Sequence, residues 1–403
     1  MNWRTTQLKH VTRFAYGDSL PKDSEQIGNV PVYGSNGSYS KFIEANTASP
    51  VIVVGRKGSY GKVNWSDSPC FASDTTFFID RTTTSQHLRW VFYVLQTLNL
   101  DKGSNEAAVP GLSREDAYQK SICVPSLSQQ QKIADYLDRE TQKIDALIAA
   151  KKRLLQLLAE KRKALITRSV TRGLNADVPM KDSGIEWLGE IPEHWKVERV
   201  KFLIFGIEGG FSPQCYGFPP NEGEWGVLKS GCVNGGVFNQ QETKTLPEDI
   251  NPPIELEVFR DDILMSRASG STELIGSVAM VEEQPKARLL LSDKTFRLTL
   301  RLHTIDPKFF VAVMGSSIVR QQIHQVISGA EGLANNIAQS DIRELLIVLP
   351  PLFDQQEIID ILYKKTQAID YLFNILTKAI ALLQERRTSL ISAAVTGQLQ
   401  ILD

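Results

Sequence analysis

Apolar residues recur in steps of three, four and seven along one stretch of the chain, at Ile133, Leu137, Ile144, Leu147, Leu154, Leu158 and Leu165. That spacing predicts one long amphipathic helix with a coiled-coil stripe, broken by the polar Glu140, Lys151 and Lys161. The pattern returns 225 positions on, at Ile358, Leu362, Ile369, Leu372, Ile375, Leu383 and Leu390. The first copy opens with Pro125-Ser126-Leu127-Ser128-Gln129-Gln130-Gln131 and the second with Pro350-Pro351-Leu352-Phe353-Asp354-Gln355-Gln356. About 20 of 47 aligned positions down to Thr171 and Thr396 are identical, without a gap, including the pairs Ile144-Asp145 and Ile369-Asp370. Ser128 with Gln131, and Asp354 with Glu357, are expected to cap the two helix starts. At ~1.5 Å per residue each helix is a rod of roughly 60 Å. Two such stripes are expected to bury one another as an antiparallel pair, which would place the regions before them at opposite ends of a ruler.

Those regions read as mixed and strand-rich. Pro50-Val51-Ile52-Val53-Val54 is a buried-strand run ended by Gly55-Arg56-Lys57-Gly58-Ser59-Tyr60-Gly61. The second region repeats this weakly: Asp262-Ile263-Leu264-Met265 leads into Ser266-Arg267-Ala268-Ser269-Gly270-Ser271, with Gly276 matching Gly61. Ser73-Asp74-Thr75-Thr76-Phe77 likewise matches Ser292-Asp293-Lys294-Thr295-Phe296. Trp3 and Trp195 open the two regions, with Lys9 and Lys201 each six residues on. The expected class is α+β: two strand-rich heads, two long helices, an internal two-fold repeat. Expected boundaries are a first head over 1–124, a first helix over 125–172, a linker over 173–194, a second head over 195–349 and a second helix over 350–403. The heads differ in loop length while the helices match, as two different recognition heads on one scaffold would require.

Charge is near balance, formally −1, but unevenly spread. Residues 1–125 hold 13 basic and 11 acidic side chains, and 126–180 hold 11 and 6. Residues 181–350 hold 16 and 23. A protein gripping a duplex alone should be more basic, because phosphate neutralisation supplies much of the affinity. Bound DNA therefore implies a partner that shares the electrostatics. Cys70, Cys123, Cys215 and Cys232 are far apart and read as reduced thiols of a cytoplasmic protein. No apolar run nears the ~20 residues of a membrane span, and Met1 to Lys9 carry no secretory apolar core.

Several motifs are weighed and set aside. Asn251-Pro252-Pro253-Ile254 is similar to an adenine-methyltransferase motif, but Ile stands where an aromatic would stack on a flipped base. No cofactor-binding glycine turn precedes it, since Gly206, Gly209 and Gly210 have the wrong spacing. An ordinary proline turn is the simpler reading. The five histidines lack ligand-like spacing, and no phosphate-binding Gly-Lys-Ser/Thr loop exists. The better candidates are glycine turns with charge. Arg56, Lys57, Ser59, Tyr60 and Lys62, with Tyr33, Ser35 and Asn36, are DNA-contact candidates in the first head. Lys229, Ser230, Arg267, Ser269 and Ser271 are their counterparts in the second. The alternative is a solvated hairpin with incidental charge for the turn at 55–61, and structural turns for the stretches at 33–36 and 229–231. Lys151-Lys152-Arg153 and Lys161-Arg162-Lys163 read as a solvated helix face, or as phosphate attraction or partner docking.

The linker Asp182-Ser183-Gly184-Ile185-Glu186-Trp187-Leu188-Gly189-Glu190-Ile191-Pro192-Glu193-His194-Trp195, the two Pro-x-Leu-x-x-Gln-Gln helix starts and the turn at 55–61 resemble the specificity subunit of type I restriction-modification systems. Gln129 departs from the acidic residue often found there; Asp354 keeps it. The resemblance spans essentially the whole chain. It implies a non-catalytic reader of a split, asymmetric DNA target, with one half per head and the helices setting the gap. It implies two modification subunits using S-adenosylmethionine, and restriction subunits using ATP and Mg, with no cofactor or metal in this chain. Two rival readings stay open: a methyltransferase with a fused reader, and a coiled-coil adaptor that binds only proteins.

Overall fold

The computed structural model describes residues 3–21, 28–102, 111–175, 177–328 and 335–401. Met1 and Asn2, the start of the segment read for a secretory signal, lie outside them. The chain divides into two compact units, Met1–Arg153 with Ile375–Asp403, and Leu154–Asn374. The long helices Leu127–Arg172 and Leu352–Val395 each give one half to each unit.

In the first unit a four-stranded sheet runs in the order Ala15–Tyr16, Thr76–Ile79, Val51–Gly55, Val63–Ser66. Beside it stands a three-stranded sheet, Gly37–Phe42, Val30–Gly34, Phe71–Ala72, whose last pair is parallel. The second unit has the same two orders. They are Ile204–Gly209, Thr295–Leu300, Ile263–Ser266, Val278–Met280, and Thr243–Thr245, Trp225–Leu228, Arg288–Leu290, again with the last pair parallel. Val51–Gly55 is buried at every residue, which explains its unbroken apolar run. Arg4–Gln7 pairs with Ser121–Val124, and Lys196–Arg199 with Leu346–Leu349. The short helices Arg114–Gln119 and Gln339–Glu344 precede those closing strands and lie 225 positions apart, so the register shared by the long helices begins before them.

The first core gathers Phe14, Ile52, Phe77, Trp90 and Tyr93 with Ile133, Leu137, Ile391 and Val395 of the long helices. Asp138 on the first helix accepts from Arg89 Nε at 2.7 Å and from the Tyr93 hydroxyl at 2.6 Å. Burial and this carboxylate raise the Tyr93 pKa. Arg387 pairs with Asp145 at 2.9 Å within this unit. The second core gathers Trp195, Phe296, Phe309 and Phe310 with Val170, Ile358 and Leu362, and there Arg162 lies 3.5 Å from Asp370.

The helix stripe needs correction. Ile133, Leu137, Ile144, Leu158, Ile358, Leu362 and Ile369 are buried, and Leu165, Leu383 and Leu390 half-buried. Leu147, Leu154 and Leu372 are exposed, at 52%, 44% and 45%, as is Ile375. Leu147, Leu154 and Leu372 are each followed by a second apolar residue, Ile148, Leu155 or Phe373, and it is that neighbour which turns inward. One position on a helix is a rotation of about 100°. The buried register runs through Thr141, whose hydroxyl is satisfied by the Leu137 carbonyl at 2.6 Å, so a polar residue concealed the true stripe.

The caps also differ from expectation. The first box is Ser126 with Gln129: Ser126 N–H donates to Gln129 Oε1 at 3.2 Å and Gln129 N–H to Ser126 Oγ at 3.4 Å. Asp354 caps nothing and instead accepts from Trp195 Nε1 at 2.9 Å, with His194 Nε2 at 2.8 Å. The linker is a hairpin, Met180–Asp182 against Glu190–Pro192. It docks through Leu188, Ile191 and Trp195, while Trp187 stays 48% exposed. Gly173 takes φ +77° beneath Trp195, and Gly397 takes φ +78° beneath Trp3. All four cysteines are free, and burial pushes the Cys232 thiol up to about 12. No helix among the described residues is long and apolar enough to cross a membrane.

Candidate nucleic-acid interface

The strands Val51–Gly55 and Ile263–Ser266 each run into an arginine, and both arginines are held alike. Arg56 N–H donates to Thr75 O and Arg267 N–H to Lys294 O, each at 2.8 Å. Arg56 Nη1 donates to Asp74 O at 3.1 Å and Arg267 Nη1 to Asp293 O at 3.3 Å. The guanidinium carbons lie 5.8 Å from the Phe77 ring and 5.5 Å from the Phe296 ring. Behind them, Thr76 Oγ1 donates to Ser73 O at 2.7 Å and Thr295 Oγ1 to Ser292 O at 3.2 Å, folding each Ser-Asp-x-Thr turn. The carbonyls of Arg56 and Arg267 accept from Leu112 N–H at 2.8 Å and Ile337 N–H at 3.0 Å. Each arginine is thus fixed at its backbone and at one amino nitrogen, on the end of a buried strand. Such preorganisation suits a group that must meet a ligand without losing much rotamer freedom.

Gly61 and Gly276 close the two turns at φ +77° and +72°, donating to Gly55 O and Ser266 O at 2.8 Å. A Cβ at Gly61 would lie 2.3 Å from Asp101 N, whereas one at Gly58, φ +72°, would meet nothing within 4 Å. Gly61→Ala is therefore expected to destabilise by about 2–5 kcal/mol, left-handed strain plus a backbone clash, and Gly58→Ala by about 1–2 kcal/mol from strain alone. Thermal unfolding of the two variants checks this; equal losses would refute the close-packing account of Gly61.

The remaining first-head candidates converge only in part. Ser35, Asn36, Lys57 and Ser59 line a cleft of about 350 Å³ with Tyr39 and Thr75. Lys57 and Ser59 are exposed there, and Tyr33 and Tyr60 half-buried. Ser35 is buried, and its hydroxyl donates to Thr75 O at 2.7 Å, so it shapes the turn rather than facing a ligand. Lys62 Nζ donates to the backbone and side-chain oxygens of Asn36 at 3.0 and 2.8 Å, tying the two loops together. In the second head, Ala268–Ser269 packs against the turn Ser230–Gly236, whose start follows Lys229. Ser271 is exposed, and its N–H donates to Ser269 Oγ at 3.2 Å.

Two first-head residues escaped the sequence reading. Tyr16, 48% exposed, has the Arg56 guanidinium 4.9 Å from its ring centre and the Arg114 guanidinium 5.0 Å from it. Positions 16, 56 and 114 share no spacing that would have joined them. Asn251-Pro252-Pro253 leads into the short turn Ile254–Leu256, and Ile254 is 65% exposed, consistent with an ordinary turn. Among the described residues no group of three His, Cys, Asp or Glu side chains is placed to hold a metal.

Comparison with known proteins agrees with this architecture. The sequence model described as the type I restriction modification DNA specificity domain matches residues 1–157, which take in the first head and part of the helix that follows it. The specificity subunit of the type I restriction enzyme EcoEI, from Escherichia coli, is 33% identical over 171 residues, 42% of this chain and 28% of that protein. That of EcoKI, from E. coli strain K12, is 23% identical over 284 residues, 69% of this chain and 58% of that protein. The matches thus span less than two thirds of either relative. A solved chain, from work on complex assembly and conformational transition of the type I R-M system, superposes with TM-score 0.66 at 12% identity over 98% of both chains, which establishes a common fold. In sequence the chain is similar to type I restriction enzyme specificity subunits, the resemblance that its linker and paired helix starts carry.

Proposed function

We propose that this chain is the non-catalytic DNA-specificity subunit of a cytoplasmic type I restriction-modification complex. Each head reads one half of a split, asymmetric target. The long helices pair as an antiparallel coiled coil and act as the spacer between two copies of one repeat. Modification subunits, two in number, bring S-adenosylmethionine and methylate adenine; restriction subunits bring ATP and Mg. The observation that carries the reading is the arginine–aspartate–phenylalanine arrangement, built alike in two heads whose loops differ. The gapless helix repeat supports the spacer, as do the ion pairs Asp145–Arg387 and Arg162–Asp370, whose residue numbers change in opposite directions along the two helices. The rival enzyme reading predicts S-adenosylmethionine bound by this chain alone, which calorimetry would detect. The rival adaptor reading predicts that the assembled complex has no salt-dependent DNA affinity.

Inserting one heptad into each long helix adds about 10.5 Å, or about 3 base pairs, to the spacer. Mapping methylated adenines in cells expressing that variant with its modification partner should show both half-sites unchanged and the gap longer by about 3 base pairs. A constant gap with an altered half-site would refute the spacer.

A further inference from the structure

The first head carries a charge arrangement that the second lacks. Arg56 and Arg114 both lie about 5 Å from the Tyr16 ring, at 4.9 and 5.0 Å. Their loops are locked together, because Leu112 N–H donates to Arg56 O at 2.8 Å and Lys57 forms a β-bridge with Gly111. In the second head the sheet register puts Gly209 opposite Phe296, where Tyr16 stands opposite Phe77. Gln339 begins the helix that Arg114 begins in the first head. Among the described residues, Arg267 accordingly has the Phe296 ring but neither a matching tyrosine nor a second arginine beside that ring.

The fold holds Arg114 only by weak contacts: besides Tyr16, its guanidinium lies 5.9 Å from the Tyr118 ring one helical turn on. Arg114 opens a helix, where peptide dipoles disfavour a cation. Its ion pair with the neighbouring Glu115, 3.5 Å away and itself 73% exposed, is weak. Two guanidinium groups about one ring add their positive potentials there, which favours a bound anion. Tyr16 supplies a stiff, half-exposed surface that keeps both groups in place. The sequence charge runs the same way, with 13 basic against 11 acidic residues over 1–125 and 16 against 23 over 181–350.

We infer that Arg114, held over Tyr16 beside Arg56, is a contact to a DNA backbone phosphate that the first head makes and the second does not. This rests on the reading of the chain as a DNA reader, and deepens it: the two heads divide the work unequally, the first providing more of the sequence-independent grip. A phosphate contact positions the protein on the duplex and carries no base information.

The test uses the full chain assembled with its modification subunits and a labelled mixed-sequence duplex, titrated over a tenfold range of KCl. Removing one phosphate contact reduces the slope of log K against log salt by about 0.9, so Arg114→Gln should bind more weakly than wild type at low salt, with a deficit that shrinks about eightfold per tenfold rise in salt. Arg114→Lys should keep the wild-type slope, and neither variant should alter the methylated sequence. An Arg114→Gln slope equal to that of a salt-dependent wild type would overturn the contact. So would a changed half-site at constant slope, which would make Arg114 a base reader. A wild-type complex without salt-dependent affinity would remove the DNA-reader reading itself, and this inference with it.

Discussion

Replacing Gln130 by Leu should lower the unfolding temperature of the first unit by roughly 5–15 °C, and Gln355→Leu should do the same in the second. Both amides are buried with no exposed surface. Gln130 Oε1 accepts from His87 N–H at 2.9 Å, and its Nε2 donates to Pro125 O at 3.0 Å and Gln86 Oε1 at 2.7 Å. Gln355 Oε1 accepts from Asp306 N–H at 2.8 Å, and its Nε2 donates to Pro350 O at 2.8 Å and Thr304 O at 3.1 Å. Each glutamine ties the start of a long helix to the residue that caps a core helix, Leu88–Thr97 or Pro307–Met314. Leu fills the space but strands a buried N–H and a buried carbonyl, at about 1–3 kcal/mol apiece. At about 2–4 °C per kcal/mol for units of this size, the sum reaches the stated range. The two sites lie in different units, so the double variant should show both losses independently. Calorimetry of the full chain checks this, and a shift below about 1 °C in either variant would show that water replaces the amide, against the clamp.

That pair of glutamines illustrates what the sequence discloses and what it withholds. The Pro-x-Leu-x-x-Gln-Gln starts are plain in both copies, because a gapless repeat survives any change in the heads. The reason for the second glutamine is not, because its partners at His87 and Asp306 lie far off in the chain and differ in type. The matched arginines were legible for the opposite reason. Ser-Asp-x-Thr-Phe is a local unit, and the residues around Arg56 and Arg267 that hold them come from it. Helix phase failed where apolar residues stand side by side: Leu147 and Ile148 fit the pattern about equally, and packing alone selects Ile148. The capping box slipped by two positions because Ser126 and Ser128 both present a hydroxyl before a glutamine three residues on. Tyr16 and Arg114 lay beyond reach, since the sheet register and a closing strand bring them together.

The strongest functional effect is expected from Arg267→Ala, which should erase one base preference in one half of the target and leave the other half intact. Arg267 is exposed, and its side chain is held by one carbonyl at 3.3 Å and one ring at 5.5 Å. Losing those contacts costs the fold little, about 1 kcal/mol or less at so exposed a site. An arginine bidentate to guanine, by contrast, gives about 1–3 kcal/mol of discrimination, so the preference should relax by roughly 5- to 150-fold. Arg267→Lys should not restore it, because an ammonium lacks the planar fork and cannot both keep the Asp293 carbonyl and span two acceptors on a base edge. Arg56 is the less clean probe, as its removal also disturbs Tyr16 and Arg114. Methylated-adenine mapping with Arg267→Ala in place of wild type reads the result directly. The expected map has one half-site degenerate at a single position, with the other half and the gap unchanged. Uniform weakening across all sites would make Arg267 a backbone contact, and an unaltered map would leave the matched arginines as scaffold, with base reading assigned to the loops in which the two heads differ.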